Sequence, residues 1–74
     1  MTVQTFLVRL REPVTEERVL AVRRRVTDLG GTVELVAGNG TLVVNLDDSR
    51  IGEVRSMAIV ALVGGVTMNR RWVR

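Results

Sequence analysis

The chain has 74 residues, of which 46% are hydrophobic and 26% charged, and its net charge at neutral pH is +3. It lacks Cys, His and Lys, so disulfides, thiolate or imidazole metal ligands and the usual bases that activate a nucleophile are excluded. We therefore expect one domain over residues 1–74 that is not an enzyme and holds no metal and no cofactor.

The first predicted element is a strand from Val3 to Leu10, because apolar and polar residues alternate along it. Pro13 closes the strand, and Thr15 is a candidate N-cap for a helix that runs to about Leu29. Gly30 then stands where a left-handed conformation commonly ends a helix. The expected core residues of these two elements are Phe6, Val8, Leu10, Val19, Val22, Val26 and Leu29.

The turn Ala37-Gly38-Asn39-Gly40 separates two segments rich in β-branched residues, 32–37 and 41–46. Gly and Asn tolerate the positive φ of tight turns, so the pattern predicts a β-hairpin. Because side chains alternate between the two faces of a strand, one set of side chains is expected to face the helices: Val33, Leu35, Ala37, Leu42, Val44 and Leu46. The other set is expected on the helix-free side of the sheet, the open face, with Thr5, Leu7 and Arg9: Thr32, Glu34, Val36, Thr41, Val43 and Asn45.

A second helix is predicted from about Arg50 to Leu62, with Asp47, Asp48 and Ser49 as candidate caps. Its core side would carry Ile51, Val54, Ala58 and Leu62. A second apolar side would carry Met57, Val60 and Ala61. A helix that is apolar on two sides is usually buried on two sides, so these three residues either widen the core stripe or contact a partner. We predict the partner contact, and hence a homo-oligomer or a subunit of a complex.

The Gly64-Gly65 pair is predicted to turn the chain into a fourth strand over residues 66–70, followed by a tail over residues 71–74. The element order is then strand, helix, strand, strand, helix, strand. This order predicts an α+β ferredoxin-like (split β-α-β) fold, with a four-stranded antiparallel sheet and two helices on one face. The central core is expected to contain Phe6, Val8, Leu10, Val19, Val22, Val26, Leu35, Leu42, Val44, Val54 and Ala58.

The segment Pro13-Val14-Thr15-Glu16-Glu17, an amphipathic helix and the ending Leu29-Gly30-Gly31-Thr32-Val33 together resemble the subtilisin propeptide-like inhibitor domains. The short hairpin strands and Gly64-Gly65-Val66 add to this resemblance. It implies a split β-α-β fold whose sheet packs on two helices of a subtilisin-like protease. It also implies a C-terminal tail lying in the substrate cleft. The end of the fourth strand and the tail are therefore candidate binding residues: Arg70, Arg71, Trp72, Val73 and Arg74.

Three functions are open at this point. The first is a non-enzymatic protein-binding module of the propeptide-like type, an inhibitor or folding helper of a subtilisin-like protease. The second is a small structural subunit of a larger assembly. The third, less favoured, is nucleic-acid binding through Arg, because the only aromatic residues are Phe6 and Trp72. No signal peptide or membrane-spanning stretch is visible, so a cytoplasmic location is expected.

Overall fold

A computed structural model of the chain describes residues 2–65. The elements are β1 (Val3–Leu10), α1 (Glu16–Asp28), β2 (Thr32–Val36), β3 (Thr41–Asp47), α2 (Ile51–Arg55) and β4 (Val60–Gly65). The four strands form one antiparallel sheet in the order β2-β3-β1-β4, and both helices contribute to a core on one side of it. The predicted α+β ferredoxin-like fold is confirmed.

The core lies between the two helices and the central strands β1 and β3. Alternation along these strands directs every second side chain inward, and Leu42 and Val44 are completely buried, as the predicted register requires. Val19 is half-buried at the margin of the core. The buried residues are Phe6, Val8, Leu10, Val22, Val26, Leu42, Val44, Leu46, Ile51, Val54 and Val60.

Helix α1 begins and ends as its sequence predicts. The Arg18 N–H donates to the Thr15 hydroxyl oxygen at 3.2 Å, which satisfies one of the unpaired donors of the first turn. Gly30 follows the helix with a φ of +86°, a conformation that glycine adopts without a steric penalty.

Strand β2 departs from simple alternation, and the predicted orientation of Leu35 is wrong. Val33 is opposite Val44, but Leu35 is opposite Val43, so Glu34 is an extra residue in β2. This β-bulge turns Leu35 to the open face, where it is 58% exposed. Val36, predicted on the open face, is instead opposite the core residue Leu42.

The largest difference between the predicted and the observed fold is in the region after Arg55. Helix α2 ends at Arg55, and Val60 already begins β4, opposite Leu10 of β1. The extended conformation gives β1 a partner on its second side and buries Val60, which is only 4% exposed. Residues 60–65, predicted in part as helix, therefore supply the hydrogen-bond partners on that side of β1.

Several residue predictions change with this boundary. Ala58, predicted in the core, is exposed in the turn before β4. Leu62, predicted on a core-facing helix side, lies in β4 and is 57% exposed. Gly64 and Gly65 belong to the strand rather than to a turn. The strand predicted over residues 66–70 and the tail over residues 71–74 lie outside the described residues.

The loop from α1 to β2 approaches β3 closely at Gly31. A Cβ atom on Gly31 would collide with the Asn45 carbonyl oxygen and would lie 2.8 Å from Leu46 Cδ1. The Gly31 N–H also donates to the Val26 carbonyl at 2.8 Å, which fixes this loop against the end of α1. Because the nearest obstacle is backbone, a side chain there has no easy way to be accommodated.

We therefore expect Gly31→Ala to destabilise the fold by about 1–3 kcal/mol, the usual range for overpacking. Gly38→Ala is the matched control, because a Cβ atom on Gly38 would meet no other atom within 4 Å and the φ of Gly38 is not positive. It should be neutral or stabilising by up to about 1 kcal/mol. Urea unfolding of both variants measures the difference, and equal stabilities would contradict the close approach at Gly31.

Candidate protein-binding face

The open face of the sheet carries a continuous line of apolar and small residues across all four strands. Leu35 of β2 is opposite Val43 of β3, Val43 is opposite Leu7 of β1, and Leu7 is opposite Gly64 of β4. We call these four residues the apolar row. Residues directly opposite on one sheet face have neighbouring Cβ positions, so the row forms one surface.

The two outer strands of the open face each carry a strongly exposed leucine. Leu35 is 58% exposed, and Leu62, which lies one pair along β4 from Gly64, is 57% exposed. Leu7 and Val43 are half-buried between their neighbours. Single exposed leucines are common on protein surfaces, but a continuous apolar patch on a helix-free face, here joined through Leu7 and Val43, is typical of contact surfaces.

A polar network borders the apolar row on one side. The Thr5 hydroxyl donates to Asn45 Oδ1 at 2.7 Å. Asn45 Nδ2 donates to Glu34 Oε1 at 2.6 Å and to the Thr32 hydroxyl oxygen at 3.3 Å. The network connects β1, β3 and β2 and satisfies the Asn45 amide within the protein. A partner covering this border would therefore not leave the amide unpaired.

The charges of the open face are separated by the apolar row. Arg9 lies beyond the row toward the β2–β3 turn, where it is opposite Thr41 and Leu62. Glu34 lies on the other side, with the polar network, and Asp47 lies farther along β3 on that same side. Among residues 2–65, the ion pairs join Glu53 to Arg25 at 2.8 Å and to Arg50 at 3.9 Å, so Arg9 takes part in neither.

Asp47 ends β3 and holds the start of the next segment. The Ser49 N–H donates to Asp47 Oδ1 at 3.0 Å, and the Ser49 hydroxyl donates to the same oxygen at 2.9 Å. These hydrogen bonds, the backbone one first, lower the pKa of the Asp47 carboxyl because they favour its charged form. Asp47 and Ser49 thus stabilise the turn before α2, but the predicted capping role is wrong: the N-cap of α2 is Arg50, and no side chain of Asp47, Asp48 or Ser49 caps the helix.

We expect Ser49→Ala to raise the pKa of Asp47 part of the way toward its ordinary value, because the Ser49 backbone N–H still donates. A group whose folded pKa is lowered contributes stability above its unfolded pKa and loses it as pH falls through the folded pKa. The stability added by this turn should therefore disappear in the acid range below the ordinary pKa of Asp. Carboxyl NMR titration of both proteins measures the shift, and an unchanged Asp47 pKa would contradict this role of the hydroxyl.

A shallow depression lies beside Arg9, at the end of the sheet where the hairpin turn meets the loop after β1. Gly38 and Asn39 of the turn contribute to its wall. Its lining also includes Glu12, Pro13 and Val14. It is open to solvent, and its lining contains no nucleophilic side chain.

The structure does not bring the sequence-predicted contact residues together on one exposed side. Val60 is buried in the core, Met57 is half-buried against it, and Ala61 is exposed at an irregularity in the β1–β4 pairing. The helical side that was predicted to join these three residues does not exist, since Val60 and Ala61 are in β4. The other predicted contact residues lie outside the described part of the chain: Arg70, Arg71, Trp72, Val73 and Arg74.

The part of the chain from residue 2 to residue 65 contains no group of three acidic side chains placed to hold a metal ion. None of the helices described there is long and apolar enough to cross a membrane. A scan of protein-family models finds no match to this chain, and a search of curated proteins finds none either.

Proposed function

We propose that this chain is a non-enzymatic protein-binding module that docks through the open face of its sheet. The observation that carries the proposal is the apolar row, with Leu35 and Leu62 both more than half exposed at its margins. Burying apolar surface is favourable by about 25 cal/mol per Å², so a flat apolar face favours association. The internally satisfied Asn45 network lowers the cost of covering the polar border.

The resemblance to subtilisin propeptide-like domains suggests a subtilisin-like protease as the class of partner. In that family the sheet packs on two enzyme helices, and the open face is the part of this fold available for such a contact. Family members carry acidic residues near the end of the fourth strand that cap those helices. Here no Asp or Glu follows Glu53 in the sequence, so the apolar row would have to supply the contact energy.

Nucleic-acid binding is disfavoured by the composition of the same face. A sheet that binds nucleic acid stacks bases on aromatic side chains of its central strands. Phe6 is on the central strand β1, but its side chain is buried in the core. Among residues 2–65, Arg9 is the basic residue on the open face. The carboxylates of Glu34 and Asp47 lie on the same face and would repel a phosphate backbone. A role as a structural subunit uses the same apolar row and is a special case of protein binding.

We expect the protein to inhibit at least one member of a panel of purified subtilisin-like proteases, including enzymes that prefer Arg, with slow and tight kinetics. Leu35→Asp should weaken this inhibition by about tenfold or more, because it replaces an apolar contact by a charge that must be desolvated. The measurement is the inhibition constant from progress curves, with circular dichroism to show that the variant is folded.

The matched control is Leu20→Asp on α1, where Leu20 is 45% exposed on the opposite side of the molecule. It should inhibit like the wild type. Absence of inhibition at micromolar protein across the panel would reject the protease as partner. Equal losses for the two leucine variants would reject the open face as the docking surface.

A further inference from the structure

We propose that the open face also binds a second copy of this chain, forming a two-fold symmetric dimer in which Arg9 of each subunit pairs with Glu34 of the other. The inference rests on the docking face assigned under the proposed function and names a partner for it. Its basis is that this face is self-complementary in both its apolar and its charged groups. The apolar row lies in the middle, with an unlike charge on either side.

The positions of the charges follow from the strand pairing. Arg9 lies on β1, one face position beyond Leu7, which belongs to the row. Glu34 lies on β2, two strands away, at the bulge beside Leu35. Strands are about 4.8 Å apart and rise about 3.4 Å per residue, so the line from Arg9 to Glu34 runs obliquely across the face with its midpoint close to Val43.

A two-fold axis lying between two facing sheets exchanges the ends of this line. When the axis passes near Val43 at right angles to the line, Arg9 of each subunit lies over Glu34 of its partner. The strands of the two sheets then cross at roughly 90°, which is one of the two preferred geometries for packed sheets. Leu7 and Val43 of both copies meet near the axis, so the apolar centre and both ion pairs form together.

The charges on this face favour the pairing over a random contact. Arg9 is exposed and makes no ion pair with any residue from 2 to 65, so its charge is available to a partner. Glu34 is held toward the open face by the Asn45 side chain at 2.6 Å. Two symmetry-related pairs of opposite charges attract the subunits and also fix their relative orientation. Most other orientations leave these charges without a partner.

The area of the open face indicates how strongly the two copies should bind each other. Four strands and about six residues of length give roughly 20 × 20 Å, or about 400 Å² on each copy. The total is then about 800 Å², below the range of stable complexes and typical of weak, reversible ones. We expect a dissociation constant of roughly 10–500 µM. A tighter-binding protein partner would therefore displace the second copy from this face.

Sedimentation velocity of the full chain over a concentration series provides the test. The wild type should shift reversibly from monomer to dimer as its concentration rises. Arg9→Glu and Glu34→Arg should each weaken the dimer by about tenfold or more, because each places like charges together at two symmetric positions. The double variant Arg9→Glu/Glu34→Arg should restore dimerisation to about the wild-type level, since it reverses both charges of each pair.

Arg24→Glu on α1 is the control, because it makes the same charge change at an exposed position on the helical side and should leave the dimer unchanged. Wild type that stays monomeric at about 1 mM would overturn the proposal, because that concentration exceeds the whole expected range of the dissociation constant, roughly 10–500 µM. Failure of the double variant to recover, with all variants folded, would overturn it as well. A monomer that still inhibits a protease would reject the dimer alone, and a dimer without inhibition would reject only the protease partner.

Discussion

The character of the open face depends on one extra residue in an edge strand. Between Val33 and Leu35, Glu34 has no counterpart in β3, and the ladder resumes with Leu35 opposite Val43. Without this bulge, period-two alternation would keep Leu35 on the helix side and place Glu34 opposite Val43, so a charge would take the place of Leu35 in the apolar row. The bulge places an apolar side chain and a carboxylate side by side on the same surface. It thereby extends the apolar row to β2, while Glu34 stays on the face where alternation also places it.

The other end of the sheet is governed by the need to pair β1 on both sides. The segment after Arg55 leaves the helix early, so that Val60 can pack in the core and β4 can hydrogen-bond to β1. Apolar residues that would have formed a second helical side are thus divided between the core and the sheet, where Leu62 faces solvent. The surface that we propose for a partner is consequently on the sheet and not on α2.

Much of the fold follows from the sequence, because local signals agree there with the global arrangement. Three local signals each predict their element without tertiary information. They are the Thr15 cap, the turn that ends at Gly40, and the alternation through Leu42 and Val44. The end of α2 cannot be predicted in this way, because the apolar residues from Met57 onward fit helical as well as extended spacing. Pairing with β1 is what selects the strand. The bulge at Glu34 has no local signature either, so the candidate face could not be predicted from alternation alone.

The central claim is that Leu35 lies on the open face beside Val43. Methyl NOE spectroscopy on specifically labelled protein tests it directly, since NOEs report distances below about 5–6 Å, the separation of opposite residues on one sheet face. We expect NOEs from the Leu35 methyls to those of Val43, and broadening of the Leu35 signals by a soluble paramagnetic probe. NOEs from Leu35 to Val22 or Val26 of α1, with protection from the probe, would show an unbroken ladder and contradict the account.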